Sequence, residues 1–108
     1  MKIITVLLRY KGSGDAARRF AEEMEASGTA ALIRAEKGNL RYEYFFPMNN
    51  PETVLLIDSW RDQAAIDAHH ASPMMAKILE LREKYGLIVT AERYVGDEIP
   101  ERDAGFIR

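Results

Sequence analysis

Between Val54 and Pro73 the hydrophobic period of the chain changes at once from that of a strand to that of a helix, and the rest of the chain is organised around that switch. Val54-Leu55-Leu56-Ile57 begins an apolar, partly β-branched run that reads as a strand. The run ends on Trp60, the chain's single tryptophan. Asp62 follows, placed to accept from the first-turn N–H groups of a helix. On that helix Ala65, Ile66 and His69 share a face, because three- and four-residue steps return to the same side. Ser72-Pro73 then begins another helix, with serine as its cap and proline at the first helical position, where a missing N–H costs nothing. One strand thus delivers an aromatic, and the next helix returns the chain's two histidines, His69 and His70, to the same junction.

The flanking segments have the same economy. Residues 2–10 are rich in Ile, Val and Leu with poor alternation, as in a strand covered on both faces. Lys11-Gly12-Ser13-Gly14 reads as a plain turn, since it lacks the third glycine and the Gly-Lys-Ser/Thr ending of a phosphate loop. From Asp15 to Ser27 the spacing predicts a helix burying Ala17, Phe20, Ala21 and Met24, ended by Gly28. Thr29–Glu36 adds a short helical piece. In the strand 39–46, alternation sends Leu40, Tyr42, Tyr44 and Phe46 one way and Arg41, Glu43 and Phe45 the other. After a turn containing Pro47 and Pro51, residues 53–60 return with Val54, Leu56, Asp58 and Trp60 on one face and Leu55, Ile57 and Ser59 on the other. The helix after Ser72 carries Met75, Ile78, Leu79 and Arg82 on one stripe, with Leu81 and Tyr85 adjoining it. Leu87–Val95 is the last strand.

This order predicts an α+β, ferredoxin-like split βαβ arrangement: a four-stranded antiparallel sheet with helices on one face. The other face is also apolar, and in a chain of 108 residues its simplest cover is a second copy. Residues 1–96 are expected to form the domain and 97–108 a polar tail, whose Phe106-Ile107 pair suggests docking on the body or on a partner subunit.

Composition narrows the function. A net charge of −2 and a pI near 5.7 give no basic field for nucleic acid or an anionic membrane. Without cysteine there is no thiol catalysis, disulfide or zinc–thiolate site. The first apolar run is too short for a signal peptide, and no segment approaches the ~20 apolar residues of a membrane span. A soluble, cytoplasmic protein is expected. Adjacent histidines diverge on a helix and Asp67 with His70 supplies two ligands at most, so no metal is expected.

Asp58-Ser-Trp-Arg-Asp62, Ala65-Ile-Asp-Ala-His69 and Ala71-Ser-Pro73, with Glu36-Lys-Gly-Asn-Leu-Arg-Tyr42 upstream, resemble the antibiotic biosynthesis monooxygenase family over about residues 2–95. The resemblance implies a dimeric α/β barrel of two ferredoxin-like subunits packed sheet to sheet, each with a small cavity between helices and sheet. It also implies cofactor-free oxygenation of phenolic or quinol-type compounds. A related branch degrades haem, but that branch has tryptophan where this chain has His69, and its iron-ligating histidine falls at Leu79. Another branch, an isomerase of a phosphorylated sugar, shares a stretch similar to Gly38-Asn39-Leu40-Arg41.

Oxygenation without a cofactor needs a base to make the substrate electron-rich and donors to hold the oxyanion. A neutral imidazole suits the first task, which makes His69 the candidate catalytic residue; the alternative is a helix-terminal histidine bonded to backbone carbonyls. Trp60 could wall the cavity or simply pack the core, and Asn39 could donate to an oxyanion or make ordinary turn contacts. Tyr42 or Tyr44 could offer a hydroxyl, and Arg93, if it faces the cavity, would suit an anionic group. Three readings follow: a monooxygenase of a small hydroxylated aromatic or quinol; an isomerase or proton-transfer enzyme on a sugar-like or keto compound; and a non-catalytic small-molecule-binding dimer.

Overall fold

The structure, a computed structural model, describes residues 2–107. Its elements run β1 (Ile4–Lys11), α1 (Ala16–Ala26), α2 (Thr29–Arg34), β2 (Asn39–Phe45), β3 (Thr53–Trp60), α3 (Gln63–His70), α4 (Pro73–Lys84) and β4 (Ile88–Val95), followed by a 3-10 turn over Glu101–Phe106. The four strands form one open antiparallel sheet in the order β2-β3-β1-β4, with the helices on one face. This is the ferredoxin-like α+β fold expected from the sequence. Among the described residues no helix is long and apolar enough to cross a membrane.

Period-2 alternation selects the covered face. Tyr10 on β1, with Val54, Leu56 and Trp60 on β3, meets Phe20 and Met24 of α1, Ile33 of α2, Ile66 of α3 and Ile78 and Leu81 of α4 in one core. Trp60, Phe20 and Met24 are fully buried; each large apolar side chain removed from water in this way is worth ~1.5–3 kcal/mol. Tyr10 and Phe20 lie with ring centroids 4.7 Å apart, joining the first strand to the first helix.

The structure departs from the sequence reading in four places. Leu40 does not share a face with Tyr42: Asn39 is opposite Trp60 and Arg41 opposite Ser59, so Leu40 is the extra residue of a β-bulge and is exposed. Phe46 falls one residue past β2, where the Arg18 guanidinium covers it at 4.2 Å. On α4 the buried face is centred on Ile78 and Leu81, which leaves Leu79 50% exposed. Ser72 stands at the N-cap of α4 without capping it; its Oγ donates to the carbonyl of His69 at 2.7 Å. In the tail, Phe106 is 90% exposed on a single copy, which leaves a partner subunit as its expected seat.

β1 and β3 are the central strands, whereas β4 is an edge whose residues are nearly all exposed. The helical layer therefore stops short of one sheet edge. The space left between α3, α4 and the β1–β4 half of the sheet is a cavity enclosed by both layers.

Candidate active site

That cavity has a volume of about 410 Å³. Its floor is Val6, Leu8 and Tyr10 of β1 with Leu56, Asp58 and Trp60 of β3; Ile66 and His69 of α3 and Ile78 and Arg82 of α4 form the roof, and Val89, Ala91 and Arg93 of β4 the open side. Of the six site residues expected from the sequence, it brings together His69, Trp60, Tyr42 and Arg93. Asn39 and Tyr44 lie outside its lining.

His69 is held from three directions. The Asp62 carboxylate caps α3 by accepting from the Ala65 N–H at 2.9 Å, and Ser72 fastens the other end of the helix at the His69 carbonyl. The ring lies against Trp60, with centroids 4.7 Å apart at 31°. Its Nδ1 is 2.7 Å from Glu36 Oε2, so Nε2 is left for proton exchange. The helix-terminal alternative is thus half right: the His69 carbonyl closes the turn, but the imidazole serves a carboxylate 33 residues away. Burial lowers the imidazole's pKa below its ordinary value; the Glu36 hydrogen bond and charge oppose this, and the neighbouring His70 lowers it further. At neutral pH His69 is an uncharged base. His70 lies on the cavity edge, with its ring 5.8 Å from that of His69.

Tyr42 contributes its ring as a wall, while its hydroxyl pairs with that of Tyr44 at 2.9 Å. Burial raises both phenols above the ordinary tyrosine range, so neither ionises at physiological pH. Asn39 spends its amide on the bulge, donating from Nδ2 to the carbonyls of Arg41 at 3.1 Å and Ser59 at 3.5 Å. The Gly38–Arg41 stretch therefore shapes the strand beside the site instead of lining the cavity.

Sequence reasoning missed two residues. Glu36 sits in the loop before β2, and its spacing from His69 matches no local motif. Asp58 was legible as a carboxylate on the covered face of an apolar strand, a placement that should have singled it out. It is only 5% exposed, accepts from Trp60 Nε1 at 3.1 Å through Oδ2, and has no partner at Oδ1. Burial pushes its pKa up to about 6, against the hydrogen bond from Trp60.

The sign of the stability effect follows. A raised carboxyl pKa favours the folded state fully below the unfolded value of 3.8, and this benefit disappears as pH rises through about 6. The ionised Asp58 then costs the fold up to ~3 kcal/mol. Asp58→Asn should consequently be the more stable protein at pH 8, by about 1–3 kcal/mol, with the advantage gone at pH 4. Urea unfolding of both proteins at the two pH values measures this, and parallel pH profiles would contradict it.

Among the described residues, no three His, Cys, Asp or Glu side chains gather as they would around a metal ion.

Several known proteins share this fold. PA3566 from Pseudomonas aeruginosa superposes with a TM-score of 0.77 at 21% identity, over 91% of this chain and 97% of that one. SnoaB from Streptomyces nogalater, a cofactor-independent oxygenase, gives a TM-score of 0.69 at 18% identity, over 93% and 96% of the two chains. These likenesses establish the fold. In sequence, Putative monooxygenase YcnE of Bacillus subtilis is 33% identical over 61 residues, which span 53% of this chain and 64% of that protein. The family model for antibiotic biosynthesis monooxygenases matches residues 3–81, and with most of the chain matched the protein belongs to that family.

Proposed function

We propose that the protein is a cofactor-independent monooxygenase of a small hydroxylated aromatic or quinol-type compound, with His69 as its base. The observation that carries this reading is the Glu36–His69 pair set against Trp60 in a largely apolar cavity. A carboxylate on Nδ1 fixes the tautomer and ring orientation, so Nε2 can take the phenolic proton. The phenolate then reduces O2 itself: a phenol with a free ring carbon plus O2 gives a quinone and water, and the substrate supplies all four electrons. The apolar walls keep bulk water from competing for the anion. The description of SnoaB as a cofactor-independent oxygenase and the name given to YcnE support the same chemistry.

The test is an oxygen-electrode assay over naphthols and hydroquinones, with quinone followed by absorbance. One O2 consumed per quinone formed, with no hydrogen peroxide released and no turnover under argon, is the expected result. Turnover that persists without oxygen would transfer the assignment to a proton-transfer enzyme or isomerase. That alternative draws on Gly38–Arg41, which the bulge occupies.

The working unit we propose is a homodimer closed across the outer sheet face, where Leu55, Ile57 and Phe45 remain partly exposed on one copy. The tail beyond residue 96 would find its seat for Phe106 on the partner. Light scattering should then give twice the chain mass of 12.3 kDa, and a monomer mass would remove the proposal.

A further inference from the structure

The polar groups of the cavity are arranged in a line. Tyr42, Asp58, Val6 and Arg93 are register partners across β2, β3, β1 and β4, so they form a single row on the covered face. With strands ~4.8 Å apart, Asp58 and Arg93 stand on the order of 10 Å from each other, with only the side chain of Val6 between them. Arg82 reaches the same space from α4, and its buried Nε has no partner. Arg93 is likewise without an ion pair among the described residues: the adjacent Glu92 points to the opposite face, where it bonds Arg9 at 3.3 Å. Two arginines without an ion pair among the described residues thus border an apolar floor, and the Asp58 carboxylate stands across Val6 from Arg93.

We infer that the cavity is built for an aromatic hydroxy acid, whose carboxylate is held by Arg93 and Arg82 while its ring lies over Val6 beside Trp60. The inference rests on the reading of the cavity as the seat of a flat hydroxylated ring, and it adds the second functional group. A guanidinium offers paired donors that match a carboxylate; Arg93 stands on the exposed side of the cavity and Arg82 is half-buried, so solvent screens part of this pairing. Asp58 contributes by repulsion: an acid group turned toward it would meet a second carboxylate, so the ligand is accepted in one direction only. That direction keeps the acid beside the arginines and leaves the hydroxyl-bearing end to the inner part of the cavity.

Trp60 reports occupancy directly, because it is the chain's single tryptophan and lines the cavity. The probes are 2-naphthoate and 2-naphthamide, which share a shape and differ in charge, titrated at pH 7.5 by quenching of Trp60 fluorescence. The acid should bind the parent protein about tenfold more tightly than the amide. That preference should shrink to about two- or threefold in Arg93→Gln or Arg82→Gln, and should grow in Asp58→Asn as the opposing charge is removed. Equal affinities in the parent, an acid preference that survives both arginine substitutions, or no saturable quenching by either probe would overturn the inference. Neither probe carries a hydroxyl, so the titration is independent of turnover. Acid preference without any oxygen uptake on hydroxylated rings would defeat the oxygenase reading alone; oxygen uptake with acid and amide bound equally would defeat this inference alone.

Discussion

His69→Ala should lower kcat/KM for oxygen-dependent quinone formation by about 10²–10⁴-fold, the usual contribution of a positioned general base. The effect belongs in kcat, because the imidazole's task is to accept a proton and the ring-binding surface of Trp60 and Ile66 remains. Lost packing against Trp60 also costs some stability, so the variant should be compared at a temperature where both proteins are fully folded. The pH profile separates chemistry from packing. Burial holds the His69 pKa below the ordinary 6.5, so the neutral form predominates at neutral pH and the rate falls as pH drops through the lowered value. The groups that bear on this titration are Glu36, which raises the pKa, and His70, which lowers it. Asp58 titrates nearby at about 6 in the same cavity, so the acid limb should also be recorded in Asp58→Asn. Glu36→Gln removes a charge that stabilises imidazolium, and should move the acid limb to still lower pH. A histidine that merely filled space would leave that limb in place.

The second large effect should come from a residue with no functional group. Gly38 has φ +93°, a region where an L side chain is strained, and a Cβ built on it would lie 2.6 Å from the Ala65 Cβ. Its carbonyl accepts from the Arg61 N–H at 2.8 Å, so the loop and the start of the α3 segment are already drawn together. Gly38→Ala must both tolerate the positive φ and push α3 away. Backbone strain of ~1–2 kcal/mol and overpacking of ~1–3 kcal/mol together suggest a loss of about 2–5 kcal/mol. In a domain of this size that corresponds to a Tm lower by about 10–30 °C, measurable by calorimetry. Gly14 provides the control: φ is +59° and a Cβ there meets nothing within 4 Å, so Gly14→Ala should cost only the backbone strain. Equal losses at both positions would show that the contact with Ala65 is inconsequential. The consequence for the site is specific, since Gly38 lies between Glu36 and the bulge. Displacing α3 should lengthen the Glu36–His69 hydrogen bond and lower activity in molecules that remain folded.

What the sequence disclosed, and what it concealed, follows the range of the interactions. The strand ending at Trp60, the Asp62 cap and the buried faces of α1 and β3 depend on residues a few positions apart, and all appear in the structure as read. The bulge at Leu40 was not legible, because an extra residue in a strand is defined by the partner strand and not by its own alternation. Leu79 was assigned to the stripe of Ile78 because a helix shows which residues share a face, while the neighbours decide where that face is centred. Glu36 was invisible as a partner of His69 since nothing local joins them. The cavity's position also depends on the helical layer ending before β4, a property of packing. Sequence reasoning therefore found the histidine and the tryptophan, but neither carboxylate.

The long reach of the Glu36–His69 bond has a consequence for how the protein acquires its activity. The two residues come from opposite halves of the split βαβ arrangement, one before β2 and the other at the end of α3. Neither half holds an oriented base by itself. A collapsed intermediate with its helices and strands formed, but with α3 not yet seated against the Glu36 loop, would show native-like far-ultraviolet dichroism and no turnover. On the proposed mechanism, turnover during refolding should appear only once α3 has docked against the Glu36 loop, and so should lag behind the recovery of far-ultraviolet dichroism.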